Sequence, residues 1–360
     1  MFVQPSVGTE RKRVMTSELI MAALASLVGS AVITGLVRVY ALRVNLLDIP
    51  NQRSSHDSST PRGGGLSIVV VFLAAVATLW FLGSMERNLA IAFLLGGGLV
   101  AGISFVDDHG HVSAKWRFLV QIMAAAQAMY FLGGLPEVQI GNTVFNPGAI
   151  GYVLTVTCLV WFINAFNFMD GIDGIAATEA ICIAGGALVL TSIGGGASVL
   201  ILLATLTMAC LGFLVWNWPP AKIFMGDVGS GFVGYVLALF AIISSIQGVL
   251  PIWCWLILAG VFVVDATVTL VTRVIRGEQW YAAHNSHTYQ KASRRLQGHR
   301  PVTLAVLGIN LVWLLPIAWL ASMRPEFGWW LTLVAWMPLI ALAKLLKAGH
   351  PDAALSQAQR

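Results

Sequence analysis

The chain has 360 residues, 58% of them hydrophobic and 10% charged, with a net charge of +5 at neutral pH. Soluble domains carry roughly 25% charged residues, so this composition excludes a soluble protein and makes lipid the solvent. The positive balance implies no nucleic-acid partner, because a membrane protein collects Lys and Arg on one side of the bilayer.

A helix needs roughly 20 apolar residues to cross a bilayer. Apolar runs follow one another near residues 17–42, 66–84, 89–106, 118–134, 149–166, 175–193, 198–216, 231–247, 250–272, 302–321 and 328–346. They predict an all-α, polytopic membrane protein of about 11 transmembrane helices. The first run is longer than the apolar part of a secretory signal and no clear cleavage site follows it, so it is expected to stay as a helix. No linker, repeat or low-complexity stretch interrupts the chain, and residues 1–360 read as one membrane domain. Cys158, Cys182, Cys210 and Cys254 fall inside apolar runs and read as small core hydrophobes.

Counted on alternate sides of these runs, Lys and Arg number 16 on one side and 5 on the other. The positive-inside rule makes the first side cytoplasmic, with 1–16 an external tail and 347–360 a cytoplasmic one. Arg11-Lys12-Arg13 then lie outside, against the rule; translation from Met15 would remove that conflict. Asp48, Asp57, Asp107, Asp108, Asp170, Asp173, Asp227 and Glu278 all fall on the cytoplasmic side, whereas the external loops are short and featureless. The expected location is a bacterial inner membrane, with the polar chemistry facing the cytoplasm.

Five polar segments lie on that face. Residues 48–65 contain Asp48, Arg53, His56 and Thr60-Pro61-Arg62-Gly63-Gly64-Gly65, a phosphate-facing loop or an ordinary connector. Next, Asp107-Asp108 runs through His109 and His111 to Lys115 and Arg117. Adjacent carboxylates repel unless a cation or basic partner sits between them, although a solvated helix end accounts for them as well. The run Asn164-Ala-Phe-Asn167-Phe-Met-Asp170-Gly-Ile-Asp173-Gly places polar groups every three residues, along one side of a helix end or tight turn. Polar groups at membrane depth usually face a functional cavity. Asn217-Trp-Pro-Pro-Ala-Lys222-Ile-Phe224-Met-Gly-Asp227-Val-Gly-Ser-Gly offers a metal-binding Asp beside a glycine turn, or a Lys222–Asp227 ion pair. Finally, loop 273–300 sets His284 and His287 among Arg273, Arg276, Lys291, Arg294, Arg295 and Arg300. Zinc lacks a cysteine or third His there; an anion cradle or contacts to anionic lipid remain.

Together these segments resemble the polyprenyl-phosphate N-acetylhexosamine-1-phosphate transferase superfamily, glycosyltransferase family 4. The resemblance runs in order from Asp48 to about Tyr289. Its most specific parts are Asn-Ala-Phe-Asn-Phe-Met-Asp-Gly-Ile-Asp-Gly and Phe-Met-Gly-Asp-Val-Gly-Ser. Arg-Ser-Ser-His, Thr-Pro-Arg-Gly-Gly-Gly and His-Asn-Ser-His-Thr-Tyr-Gln look closer to enzymes that initiate O-antigen, lipopolysaccharide or related surface glycans than to the peptidoglycan branch. That branch has three consecutive His where this chain has only His284 and His287, and a Lys where Asp57 aligns.

The resemblance implies a reaction of a UDP-N-acetylhexosamine with undecaprenyl phosphate, giving undecaprenyl-pyrophosphoryl-sugar and UMP, and it leaves room for a homodimer. The second pKa of a phosphate monoester is near ~6, so the nucleophile is largely dianionic and the obstacle is its repulsion from a pyrophosphate. The resemblance implies Mg²⁺, with Mn²⁺ as substitute, and Asp227 as the metal ligand. Asp107 and Asp108 would position or deprotonate the lipid phosphate. Asn167, Asp170 and Asp173 would contact the uridine and ribose side, Asn164 and Asn217 would bind substrate, and Phe224 would stack on uracil. His284 and His287, with Arg62, Lys115, Arg276 and Arg294, would hold pyrophosphate or sugar. In-line displacement is favoured over an aspartyl-phosphate intermediate. Asp265 and Glu179 fall within expected spans, and Asp265, two helical turns from Arg273, is expected to pair with it. A transporter would show acids near the midplane and an internal repeat, and neither is present. A lipid-pyrophosphate phosphatase, which would use water in place of the lipid nucleophile, is separated by UMP release that depends on polyprenyl phosphate.

Overall fold

A computed structural model of the chain describes residues 7–50, 59–110, 112–135, 138–145, 148–192, 196–278 and 284–351, with side chains from Ser17 onward. Arg53, His56, Asp57, His111 and Arg360 lie outside the described residues.

The apolar runs fold as helices: α1 (Val7–Arg43), α2 (Leu66–Phe81), α3 (Arg87–His109), α4 (Ala114–Leu132), α5 (Gly148–Phe168), α6 (Ile175–Thr191), α7 (Ala197–Asn217) and α8 (Gly226–Ile246). Short α9 (Ile252–Leu258) meets α10 (Gly260–Ile275) at a 76° bend. They are followed by α11 (Thr288–Arg295), α12 (His299–Met323) and α13 (Gly328–Leu345). Helix α1 begins at Val7, so much of the segment expected as an external tail is helical.

Among the described residues, seven helices are long and apolar enough to cross a membrane, or eight if the bent α9–α10 pair is one span. The expected count of about eleven is not reached. The reason is geometric: α2 and α6 have 16 and 17 residues, and at 1.5 Å per residue they reach only about 25 Å against a hydrocarbon core of about 30 Å. Helix α4 is long enough, but Lys115, Arg117, Gln121 and Gln127 dilute its apolar character.

Helices α7 and α8 form the centre. In each, 78% of the most apolar window is buried, against 17% in α1. Helix α7 packs on α1, α2 and α6, and α8 packs on α3 and α5. Phe72, Phe93, Phe232 and Phe240 meet mostly edge to face, with centroids 5.2–6.0 Å apart, the arrangement the ring quadrupole favours.

Helix breaks carry compensating donors. A π-helical turn at Ala92–Gly96 interrupts α3, and the Ala92 carbonyl accepts the hydroxyl of fully buried Tyr235 at 2.8 Å. At the α9–α10 bend the Leu256 carbonyl accepts the Trp336 indole N–H at 3.0 Å. Carbonyls released from a helix ladder in an apolar interior need such partners.

Two short antiparallel pairs lie in loops, β1 (Leu47–Asp48) with β2 (Thr60–Pro61), and β3 (Val138–Ile140) with β4 (Thr143–Phe145). The first matters for the site. Phe224 N–H donates to Pro61 O at 2.8 Å, and Gly64 and Gly65 N–H donate to Phe224 O and Met225 O, both at 2.9 Å. The glycine loop is thereby laid against the start of α8. Only glycine permits this approach: a Cβ on Gly65 would stand 2.4 Å from the Gly229 Cα.

This contact predicts opposite outcomes for two Gly→Ala changes. Gly65→Ala forces backbone from backbone and should lower the thermal midpoint in detergent, at a cost of about 1–3 kcal/mol. Gly98→Ala, whose Cβ meets nothing within 4 Å, should leave it unchanged or raise it slightly. Equal midpoints for both variants would contradict the packing described.

Candidate active site

At one end of the bundle, a polar cavity of about 210 Å³ is lined by Asp48, Arg62, Asp108, Asn167, Asp170, Asp173, Asn217, Phe224, Asp227, Ser230, Gln290 and His299, among others. Loop 61–65, the end of α3, the turn after α5 and the start of α8 thus converge.

Adjacent Asp107 and Asp108 avoid each other by facing different partners. Asp108, only 3% exposed, accepts the backbone N–H groups of Asp227 at 3.2 Å and Val228 at 3.0 Å. Those are unpaired donors of the first turn of α8, where the helix dipole favours a carboxylate. Gly226, at φ +75°, allows the approach, since a Cβ there would stand 2.8 Å from Asp108 Oδ2. The Arg62 guanidinium donates to the Asp108 carbonyl. Asp107 accepts the Val112 N–H at 2.9 Å and pairs with Arg117. The same Arg117 nitrogen lies 3.0 Å from Asp227 Oδ2. Arg117 thus bridges Asp107 and Asp227, not the adjacent Asp107 and Asp108 for which the sequence called for a basic partner, and Asp227 keeps 35% of its side chain exposed.

Two polar residues, Asp173 in the turn after α5 and Asn217 at the end of α7, act as girders. Asp173 accepts the Ala221 N–H at 3.0 Å and lies 3.1 Å from His299 Nδ1, while the Thr303 hydroxyl donates to its carbonyl at 2.9 Å. Asn217 accepts the Gly174 N–H and donates to the Ile223 carbonyl, both at 2.9 Å. Asn167 donates to Ser230 Oγ at 3.0 Å. Asp170 differs, because its half-buried carboxylate has no hydrogen-bond or ion-pair partner among the described residues. Burial, and then the charges of Asp227, Asp108 and Asp173, hold its carboxyl well above the usual range.

A second cavity, about 990 Å³ and mostly apolar, runs between α4 and α5 and along α10. Its wall includes Phe118, Ile122, Met129, Val153 and Trp161, and it also contains Lys115, Arg117, Asn164, His284 and His287. The two linings are joined by an ion pair, since Arg117 of the groove pairs with Asp227 of the polar cavity.

The expected site residues are divided between these places. Asn164 leaves the group formed by Asn167, Asp170 and Asp173; it lines the groove and donates to Gln121 Oε1 at 2.6 Å. Steps of three drift by about 60° around a helix, and α5 ends at Phe168, so one spacing serves two surfaces. His284 and His287 also line the groove and not the polar cavity. Burial, with His287 and Arg273 nearby, pushes His284 down to about 3, so its ring is neutral and supplies no charge to a pyrophosphate. Arg276 pairs with Glu278 at 3.0 Å and Arg294 donates to the Asn285 carbonyl at 2.9 Å; neither lines either cavity. Lys222 lies over the Trp216 ring, 5.7 Å from its centroid, so the alternative Lys222–Asp227 pair does not form. The Asp265–Arg273 pair is likewise replaced: Arg273 binds Glu278 at 2.9 Å, and Asp265 accepts bonds from residues 287–289. A loop acid five residues beyond Arg273 reaches it more easily than one held by the start of α11.

Sequence reasoning left Arg117, Gln290, His299 and Ser230 outside the site. All four stood within noted segments, but the reach of His299 to Asp173 gave no signal of its own, because it depends on where α12 begins.

A glycosyl transferase family 4 model matches residues 90–245, a stretch that runs from before Asp107 to beyond Ser230. A probable undecaprenyl-phosphate N-acetylglucosaminyl 1-phosphate transferase of Bacillus subtilis is 30% identical over 300 residues, covering 82% of each chain. The chain belongs to glycosyl transferase family 4. Within this family, a decaprenyl-phosphate N-acetylglucosaminephosphotransferase of Mycobacterium tuberculosis H37Rv is 29% identical over 321 residues, covering 80% of this chain and 79% of the relative. A phospho-N-acetylmuramoyl-pentapeptide-transferase of Bacillus licheniformis is 29% identical over 331 residues, 84% of this chain and 99% of the relative. The family membership places this chain in the polyprenyl-phosphate hexosamine-1-phosphate transferase superfamily.

The Asp170 carboxyl yields a signed prediction. Its folded pKa lies above the unfolded one, so the native state holds the extra proton and stability falls as pH rises from the ordinary carboxylate range through the folded pKa. Asp170→Asn should then change the melting midpoint little near about pH 4 and raise it increasingly toward about pH 8, measured in detergent with divalent cations chelated. A pH-independent difference would show that Asp170 is not the strained acid.

Proposed function

We propose that this chain transfers N-acetylhexosamine-1-phosphate from a UDP-sugar to undecaprenyl phosphate, releasing UMP. The observation that carries this reading is the Arg117–Asp227 ion pair, which joins the lining of an acid-lined polar cavity to that of a long apolar groove. A nucleotide sugar suits the first and a polyprenyl chain the second, with both reacting phosphates at the junction. The relatives named for polyprenyl-phosphate substrates support the same reading.

Each residue's part follows from what it already holds. Lys115 and Arg117 offer positive charge at the groove head to the incoming phosphate dianion. Phe224 provides a flat face for a pyrimidine, and Asn167 with the tied turn at Asp173 and Asn217 gives the nucleotide side a fixed wall. Arg62, on the glycine loop, supplies a guanidinium for the pyrophosphate. Asp108 acts through α8, since its lone pairs hold the turn that carries Asp227.

Mg²⁺ fits the donor set, as does Mn²⁺. Among the described residues no three or more His, Cys, Asp or Glu side chains form a ready-made metal site. Mg²⁺ does not need one, because it is commonly held by one or two carboxylates together with substrate phosphates. Asp227, still exposed to the cavity, and Asp170, without a partner among the described residues, are the two oxygen donors we assign to it. When bound, the ion neutralises charge on the pyrophosphate and the departing UMP.

The nucleotide is cytosolic, so the polar cavity belongs on the cytoplasmic side of a bacterial inner membrane, in accord with the 16-to-5 split of basic residues. The lipid-linked product would begin an O-antigen, lipopolysaccharide or related surface glycan. Two of the relatives are N-acetylglucosamine enzymes by name, which makes UDP-N-acetylglucosamine the first donor to try, beside UDP-N-acetylfucosamine and UDP-N-acetylquinovosamine.

The purified protein should release UMP only when donor, undecaprenyl phosphate and Mg²⁺ are all present. Asp227→Asn should abolish release while keeping the wild-type melting profile, since the amide keeps the size and loses the charge. UMP released without lipid, or wild-type turnover by Asp227→Asn, would refute the reading and the ligand assignment respectively.

Reporters fused after Lys222 and after Arg295 should read cytoplasmic, and one fused after Gln247 external. The inverse pattern would put the cavity on the side that lacks UDP-sugars.

A further inference from the structure

Asp265 lies within α10, only 5% exposed, and the reading above gives it no part. An unpaired carboxylate at that depth would be very costly, yet this one is fully partnered. Oδ1 accepts the Thr269 hydroxyl at 3.0 Å and the Thr288 N–H at 2.9 Å, and lies 3.4 Å from His287 Nδ1. Oδ2 accepts the Tyr289 N–H at 3.1 Å. Thr288 and Tyr289 are the first two residues of α11, so Asp265 caps that helix from a different helix and supports His287 with the same group.

His287 is clamped on its faces as well. Its ring stacks against His284, with centroids 4.7 Å apart, and against Tyr289 at 5.7 Å. Its backbone N–H donates to Gln290 Oε1 at 3.2 Å. The Tyr289 hydroxyl donates to the Phe168 carbonyl at 3.0 Å, which joins α11 to the end of α5. The carboxylate beside Nδ1 can only accept, which favours the Nδ1–H tautomer over the one in which the ring accepts the Gln290 N–H as a helix cap, and leaves Nε2 with its lone pair. The ring lines the apolar groove together with Lys115 and Arg117.

We propose that Asp265 is a positioning residue for the transfer reaction: by holding His287 in the Nδ1–H tautomer at the head of the groove, it presents Nε2 to the phosphate of the lipid acceptor. This rests on the transferase reading. There Nε2 accepts a hydrogen bond from the monoprotonated phosphate, or takes its proton, so that the attacking oxygen meets the pyrophosphate as a dianion. Asp265 touches neither substrate and acts through the imidazole and the α11 cap. In Asp265→Asn the amide has only one acceptor oxygen, so it cannot serve all these donors, and its NH₂ favours the other histidine tautomer.

The test uses the full chain in detergent with undecaprenyl phosphate and UDP-N-acetylglucosamine. Asp265→Asn should lower kcat/KM for the lipid by roughly ten-fold or more, the scale seen when the partner that orients a metal-bound histidine is removed. Calorimetric affinity for the UDP-sugar should stay at the wild-type value. In a His287→Gln background the same change should have little further effect, because the lost interaction is already absent. Equal losses in both backgrounds would show a helix cap without a positioning role and overturn the proposal, as would full activity of Asp265→Asn. A ¹⁵N-histidine spectrum of the wild type, with the His287 signal assigned by its loss in His287→Gln, should show the Nδ1–H tautomer; the Nε2–H form overturns the proposal even if Asp265→Asn fails to fold. A wild type that transfers to no polyprenyl phosphate would refute the transferase reading instead, and the tautomer measurement would still judge the placement of His287.

Discussion

The Asp108 carboxylate, accepting the first amide hydrogens of α8, is the interaction on which the rest of the site depends. It joins the end of α3 to the start of α8 through a carboxylate that is only 3% exposed. From that joint the remaining geometry follows. Asp227 is the residue whose own N–H is held, so its side chain is delivered to the cavity at a fixed height. The glycine loop closes on the same turn through Gly65 and Gly229, and carries Arg62 with it. Arg117 completes the arrangement by bridging Asp107 and Asp227.

A recurring device appears in three places. A buried carboxylate is satisfied by backbone N–H groups of another segment: Asp108 by α8, Asp265 by α11, and Asp173 by Ala221. Charge that would be costly at membrane depth is matched by dipoles that need partners themselves. Asp170 is the exception in the same cavity, with its carboxyl held above the usual range and no partner among the described residues. Strain of this kind collects at functional positions, which is why Asp170 stands beside Asp227 in the assignment of the cation.

The division into a polar cavity and an apolar groove also separates residues that a motif list treats alike. His284 and His287 accompany the acids in sequence order, but they belong to the groove. In the proposed reaction the His284 ring, kept neutral by burial, and the His287 ring stacked on it face the lipid side, and the guanidinium of Arg62 remains for the pyrophosphate. Arg276 and Arg294 hold the loop together through Glu278 and the Asn285 carbonyl, so their positive charge is structural in its immediate partners.

By itself the sequence determined that this is a helical membrane protein, which family it resembles, and which acids lie near helix ends. Those conclusions rest on apolar run length and on residue order, and both can be read along one dimension. It overcounted spans, because a hydropathy run does not reveal where helices such as α2 and α6 stop short of the bilayer thickness. Only the tertiary structure decided which acids are girders and which are open, that Asn164 faces a different cavity from Asn167, that Arg273 pairs with Glu278, and that His299 reaches Asp173. The physical reason is that a hydrogen bond or an ion pair is decided within about 3 Å, between segments whose separation in the chain ranges from five residues to more than a hundred.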